Sequence, residues 1–265
     1  MRYGYQARVL ITVKTYPHPC ERYDDLVCTA GITEDGEWIR LYPINYRGLD
    51  PRRELLPYQW VEVMLEAEGH GGDPRPESRR PNLETLEVCG EPLSAKDNWR
   101  ARKDFVDRLP VCSMGALIAQ GGSEHRSLGV VRPARVYDIE VNKVAREWSP
   151  QQLELMDELG LFDSSGRYFR KLPFEFYYLF DCKGDLRPHR SLITDWELGA
   201  FYLKEERRLG DGTAAAQSVK DRFLNALCGR SMDTLFFMGS VRRGKSWNTL
   251  GVFHPERESQ LSLLE

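Results

Sequence analysis

Apolar and polar positions along the first 65 residues fall into short β-rich runs rather than helical stripes. Val9 to Lys14 (VLITVK), Leu26 to Thr33 (LVCTAGIT), Glu37 to Arg47 (EWIRLYPINYR) and Tyr58 to Leu65 (YQWVEVML) are rich in β-branched and aromatic residues. Each predicts a strand, and Glu34-Asp35-Gly36 predicts the hairpin that joins the middle two. The ends of these strands carry Lys14, Tyr16, Arg40, Tyr42, Tyr46 and Arg47. Cations beside aromatic faces suit a phosphate backbone with stacked bases. They equally suit a basic, aromatic sheet edge that binds nothing.

The stretch from Gly69 to Pro81 is a loop, because its glycines and prolines exclude regular structure. It holds Arg75, Arg79 and Arg80 beside Asp73 and Glu77. A stiff loop of this kind can offer guanidinium groups to phosphates and carboxylates to a substrate. A solvated turn with surface ion pairs is the competing account. Leu83 to Val88 predicts a further strand, Ser94 to Leu109 a helix stopped by Pro110, and Ser113 to Gln120 a shorter helix. Strands follow within Leu128 to Val144, broken at Pro133.

Ser149-Pro150-Gln151-Gln152 is a capping box opening a helix that ends at Gly160. Leu172 to Phe180 is a strand dense in aromatics, and His189 to Ile193 is another. Helices are expected from Thr194 to Leu209 and from Ala214 to Cys228. The last hairpin, Leu235 to Ser240 with Ser246 to Phe253, carries Arg242, Arg243 and Lys245 at its tip. That tip reads as a phosphate finger or as an ordinary exposed turn. Trp38 and Trp60 are expected inside a barrel. Two β-rich clusters around intervening helices predict a β-rich α+β protein of two OB-like β-barrels decorated with helices. The expected division is 1–125 and 126–265, in the Gly/Ser-rich stretch.

Composition narrows the function. The 265 residues are 41% hydrophobic and 29% charged, as in a soluble globular protein. The net charge of −3 argues against coating nucleic acid by bulk electrostatics, so binding requires a local groove. No apolar run approaches the ~18 residues of a membrane span, and no signal-peptide core is visible, so a cytoplasmic protein without a membrane partner is expected. The six cysteines (20, 28, 89, 112, 182 and 228) form no CxxC and no Cys/His pair, so neither a metal, a disulfide framework nor a cofactor is expected. Gly239 to Ser246 ends in Gly244-Lys245-Ser246 at P-loop spacing, but it lies between strands, where a P-loop requires a following helix. Signatures of serine hydrolases, zinc proteases and zinc deaminases are missing.

His189, Asp195 and Glu197 lie close together at a strand–helix junction, where Asp195 or Glu197 could activate water. The structural alternative is a capping box of Thr194 with Glu197, with Asp195 favoured by the helix dipole. Asp73 and Glu77 compete for the catalytic role, with Arg75 able to hold a carboxylate ionised.

The run VKTYPHPCERYDDLVCTAGITEDGEWIRLYP, then YQWVEV and DPRPESRRP, resembles the dual OB-containing family of bacterial and archaeal proteins. His189, Asp195-Trp196-Glu197 and Ser246 to Phe253 (SWNTLGVF) resemble that family's C-terminal half. The resemblance covers most of the chain and departs at Cys182-Lys183-Gly184-Asp185, where it implies a cysteine-rich turn before the histidine and this sequence keeps one cysteine. It implies two OB-like barrels, nucleic-acid contact and a place in genome conflict and phage defence, and it carries no catalytic set. The expected function is a DNA-binding protein acting on bases, with DNA ahead of RNA as partner. In its sharpest form this is a metal-independent glycosylase that removes modified bases in antiviral defence. The alternative is an OB-fold module that binds RNA or DNA without catalysis.

Overall fold

The computed structural model describes residues 4–17, 29–44, 55–66, 73, 75–121, 126–158, 169–241 and 246–258. The first sheet is built on β1 (Tyr5–Lys14), which pairs antiparallel with β2 (Thr29–Thr33) on one side and β4 (Trp60–Leu65) on the other. β2 turns through Gly36, at φ 84°, into β3 (Trp38–Leu41). That left-handed angle is where glycine is favoured. β5 (Ser78–Arg79) joins β3 in parallel and β6 (Pro81–Cys89) joins β4 antiparallel, so the order is β5-β3-β2-β1-β4-β6.

Next come α1 (Lys96–Val106), β7 (Val111–Cys112), α2 (Met114–Gly121), β8 (Leu128–Val131), β9 (Arg135–Lys143) and α3 (Pro150–Glu158). They are followed by β10 (Phe174–Asp181), β11 (His189–Leu192), α4 (Trp196–Leu209) and α5 (Gly212–Lys220), which runs into a π-helical turn over Asp221–Ala226. β12 (Leu235–Val241) and β13 (Ser246–Phe253) complete the described chain's strands. They form two sheets, β11-β10-β9 and β13-β12-β8-β7, joined by a parallel bridge between Ile193 and Thr249. The protein is α+β and strand-rich, and among the described residues its sheets are open by strand pairing.

Several local readings are realised in detail. Ser149 and Gln152 exchange the reciprocal cap bonds: the Gln152 amide donates to Ser149 Oγ and the Ser149 amide to Gln152 Oε1. Gly210 ends α4 in the left-handed conformation, at φ 67°. The cap of α4 differs from expectation. Asp195, not Thr194, is the N-cap and accepts from the Glu197 amide.

Side chains of the first sheet sort by strand alternation into two cores. Val9, Ile11, Ile39, Leu41, Val61 and Val63 face one cluster inside the first half. Val13, Ala30 and Ile32 face the other way, against Val106, Leu128, Val130, Leu235, Phe237 and Phe253 of the following elements. Each large apolar side chain buried there contributes about 1.5–3 kcal/mol. Arg40 sits opposite Ala30 in the β2–β3 ladder, hence on the same outward face, and is only 2% exposed. Its guanidinium donates to the Ser127 carbonyl and hydroxyl, both at 3.3 Å. Glu77 holds the same serine, accepting from its amide at 2.6 Å and its hydroxyl at 2.7 Å.

The expectation that Lys14 and Arg40 face a groove therefore gives way to burial, at 4% and 2% exposure. The physical reason is that the face carrying Arg40 is covered by the second half. The two tryptophans also differ from expectation. Trp38 meets Phe237 edge-on at 5.7 Å across that seam, and Trp60 meets Phe105 of α1 at 5.2 Å. Both lie on the outside of the first sheet. Replacing Arg40 by Ala should lower unfolding stability by roughly 2–5 kcal/mol, through a cavity and stranded polar partners. A urea unfolding midpoint equal to the wild type's would show that Arg40 has no such packing role.

Candidate functional site

The end of β1 and the start of α4 bring predicted residues of both halves together. The Thr15 backbone bridges to Asp195, and the Tyr16 amide donates to the Thr194 carbonyl at 2.7 Å. The Lys14 ammonium lies 4.1 Å from the centre of the Trp196 ring, and the Tyr16 ring lies 5.5 Å from it. Tyr16 donates its hydroxyl to the Arg170 carbonyl, and burial raises its pKa to about 12. Gly199 makes this contact feasible, because a β-carbon there would stand 2.3 Å from the Tyr16 ring. Lys14 and Tyr16 thus both pack on Trp196 at the seam.

Asp195 is 7% exposed. Its Oδ1 accepts the Glu197 amide at 2.8 Å, while Oδ2 faces Gly251, where an added methyl would lie 4.0 Å away. Burial, reinforced by the charge of exposed Glu197, raises the Asp195 carboxyl well above the ordinary aspartate range. Of the predicted carboxylates, this one combines burial with proton affinity.

Asp73 is held differently. Arg75 grips it through Nε at 2.8 and 2.9 Å and Nη2 at 2.6 Å, and Ser78 donates to it as well. Burial pushes the Asp73 carboxyl up, but the guanidinium and the hydroxyl outweigh it and hold the pKa below the usual range. Arg75 also lies 5.7 Å from the Tyr42 ring centre. Asp73 and Arg75 brace their own loop, and Glu77 ties that loop to Ser127. His189 stands apart from Asp195, with its Nε2 2.8 Å from Asp185 Oδ2. Tyr46, Arg47, Arg242, Arg243 and Lys245 lie outside the described residues.

Two further groupings lie outside the predicted site. The first is the outer face of β10 and β11. Phe176, Tyr178 and Phe180 point into the core, which leaves Tyr177 and Leu179 on the other face. Arg190 of β11 lies over Tyr177, 3.4 Å from the ring centre, and pairs with Glu140 at 2.8 Å. The Tyr177 hydroxyl donates to Glu175 at 2.6 Å. Tyr137, 41% exposed, donates to Asp181 and lies under Arg135 at 5.1 Å. Alternation in LPFEFYYLF was the available signal, but it does not say which aromatics face out. The second grouping is Cys182, Asp185 and His189, whose possible metal-ligand atoms all lie within 4.8 Å of one another. A search for paired cysteines and histidines passes over it, because one donor is a carboxylate.

The raised Asp195 pKa has a sign that can be tested. The folded chain holds this proton above the unfolded pKa of ~3.9, so between the two pKa values folding takes up a proton. The stability from this group is complete below the unfolded pKa and is lost as pH rises towards the folded one. Asp195→Asn keeps the cap bond and removes the ionisation. The variant should gain stability over wild type as pH rises from ~4 towards neutral and lose that advantage below ~4. Urea midpoints that run parallel across this range would refute a raised pKa.

Among the described residues, no helix is long and apolar enough to cross a membrane. No curated protein matches the sequence. A family model described as Domain of unknown function (DUF8758) matches residues 5–108, and one described as Domain of unknown function (DUF8757) matches residues 110–265. The second covers more than half of the chain, which therefore belongs to the family described as Domain of unknown function (DUF8757).

Proposed function

We propose that the chain binds single-stranded nucleic acid on the outer face of β10 and β11, as an OB module does. Strand connectivity supports an OB-like reading of both halves. In an OB barrel the first strand pairs with the second and fourth, and the third and fifth run parallel. In the first half β1 pairs with β2 and β4, and β3 with β5 in parallel. β5 and β6, the two edges of that sheet, are consecutive stretches separated by Arg80 alone. A single bent strand thus links β3 to β4.

In the second half β8 and β9 together take the part of the first strand, β8 pairing with β12 and β9 with β10. The parallel bridge of Ile193 to Thr249 links the third strand to the fifth, and α4 and α5 fall between the third and fourth.

OB modules take oligonucleotides on the face of strands 2 and 3. In the first half that face is packed away with Ala30, Ile32 and Arg40. In the second half it is partly exposed among the described residues, and the observation that carries the proposal is Arg190 stacked on Tyr177 there. The carboxylates Asp138 and Glu140 pair with Lys220 and Arg190, so the surface is not strongly basic. Binding then leans on stacking, worth about 1–3 kcal/mol per base, rather than on many phosphate contacts. The resemblance to the dual OB-containing family favours the same partner class and a role in defence.

Tyr177→Ala should weaken binding of a labelled oligonucleotide roughly 5- to 150-fold, the equivalent of one stacked base. Arg190→Ala should flatten the slope of log affinity against log salt by about 0.7, one phosphate contact on a single strand. Wild-type affinity in both variants, read by fluorescence anisotropy, would remove this face from the account.

A second reading, excision of a modified base, rests on the buried, proton-holding carboxyl of Asp195, which could protonate a departing base. It expects alkali-labile sites in base-modified DNA with wild type and none with Asp195→Asn. Intact strands with wild type would leave binding alone.

A further inference from the structure

We propose that the turn between β10 and β11 is a site for one divalent transition-metal ion of the zinc type, held by Cys182 Sγ, the Asp185 carboxylate and the His189 imidazole. The inference stands independently of nucleic-acid binding. Cys182 follows the last residue of β10 and His189 begins β11, so the three residues belong to one hairpin connection. The Asp185 amide donates back to the Cys182 carbonyl at 3.2 Å, and Gly184 takes φ 90° to close this turn. The spacing Cys-x2-Asp-x3-His then lets thiol, carboxylate and imidazole converge.

Their donor atoms all lie within 4.8 Å of one another. An ion bonding N, O and S at about 2.0–2.3 Å holds tetrahedral donors roughly 3.3–3.8 Å apart, so only a small adjustment separates the two arrangements. One thiolate, one imidazole and one carboxylate suit zinc or cobalt, whereas magnesium and calcium require oxygen donors. Two of the donors become anionic and balance the dication. Cys182 is 4% exposed, and the Asp185 and His189 side chains are 10% and 15% exposed. That is sheltered enough to hold an ion and open enough for a water as fourth ligand.

The surroundings orient the donors as supporting contacts do in metal sites. The Met114 amide donates to Cys182 Sγ at 3.4 Å, the Gly115 amide to Asp185 Oδ2 at 2.8 Å and the Ser113 hydroxyl to Asp185 Oδ1 at 2.7 Å. Gly115 lets α2 come this near, since a β-carbon there would lie 2.5 Å from Asp185 Oδ1. On metal uptake the Cys182 thiol gives its proton to solvent. His189 Nε2, now paired with Asp185, turns a lone pair to the ion. Affinity therefore rises with pH. The bound ion would clip the β10–β11 turn onto the start of α2.

The test uses the full chain, stripped with a chelator and titrated with Zn2+ against a chromophoric competitor, and with Co2+ for its spectrum. One ion per chain is expected, with a thiolate-to-cobalt charge-transfer band and a higher Tm. Cys182→Ser should abolish that band. Cys182→Ser and His189→Gln should each weaken Zn2+ by more than the roughly 10–100-fold that loss of a supporting contact costs. Cys89→Ser, on β6, should bind as wild type does. Absence of stoichiometric uptake, or wild-type affinity in both Cys182→Ser and His189→Gln, would overturn the proposal. If those variants fail to fold, the wild-type Co2+ spectrum decides alone: weak octahedral absorption without a thiolate band contradicts the site.

Discussion

Ser127 is gripped from two sides, by the buried Arg40 guanidinium and by the Glu77 carboxylate, and around this contact the two halves are pressed together. The apolar seam of Val13, Ala30 and Ile32 against Leu128, Val130, Phe237 and Phe253 supplies the driving force. The polar contact sets the register, because a charge taken out of water tolerates little misplacement of its partners. Everything else depends on this choice of covered face. It removes the outer surface of β2 and β3 from solvent, and it places the end of β1 against the start of α4.

That constraint redistributes chemistry between the halves. Lys14 and Tyr16 stack on Trp196 instead of facing a ligand, and Gly199 has no side chain because the Tyr16 ring occupies its place. Asp195 is trapped in the same seam, where burial makes its ionisation costly. Among the described residues the second half's own sheet face stays partly exposed. Its aromatic and cationic residues pair locally, Arg190 with Tyr177 across neighbouring strands and Arg135 with Tyr137 within β9. One half's sheet face is therefore taken up in packing, while the other's carries exposed Arg190 and Tyr137.

Much of the secondary structure was legible because its causes are local. Runs of β-branched and aromatic residues marked β1, β4 and β10, and Gly36, Gly210 and the Ser149–Gln152 box marked turns and helix ends. What failed depended on partners far along the chain. Arg40 reads as an exposed cation until Ser127 covers it. Asp97, Asn98 and Trp99 read as plain helix, yet they take φ of 51°, 51° and 62° at the start of α1. Asn98 there exchanges hydrogen bonds with the backbone of Glu256, at 2.8 and 2.6 Å. Asp195 and Thr194 are both competent caps, and local sequence does not choose between them. The Cys182–Asp185–His189 grouping was set aside because a single cysteine stands where the resemblance implies several, and the Asp185 carboxylate was not counted as a donor.

The central claim is that the first half's sheet face is spent on packing and the second half's is left for the ligand. Photo-crosslinking tests it most directly: the chain is irradiated with a bromouracil-containing single strand, digested, and the adducts mapped by mass spectrometry. The account predicts adducts within 135–143 and 174–192, centred on Tyr137 and Tyr177. Adducts concentrated on 29–41, around Ala30, Ile32 and Arg40, would contradict it, because that surface could react only if the two halves separate.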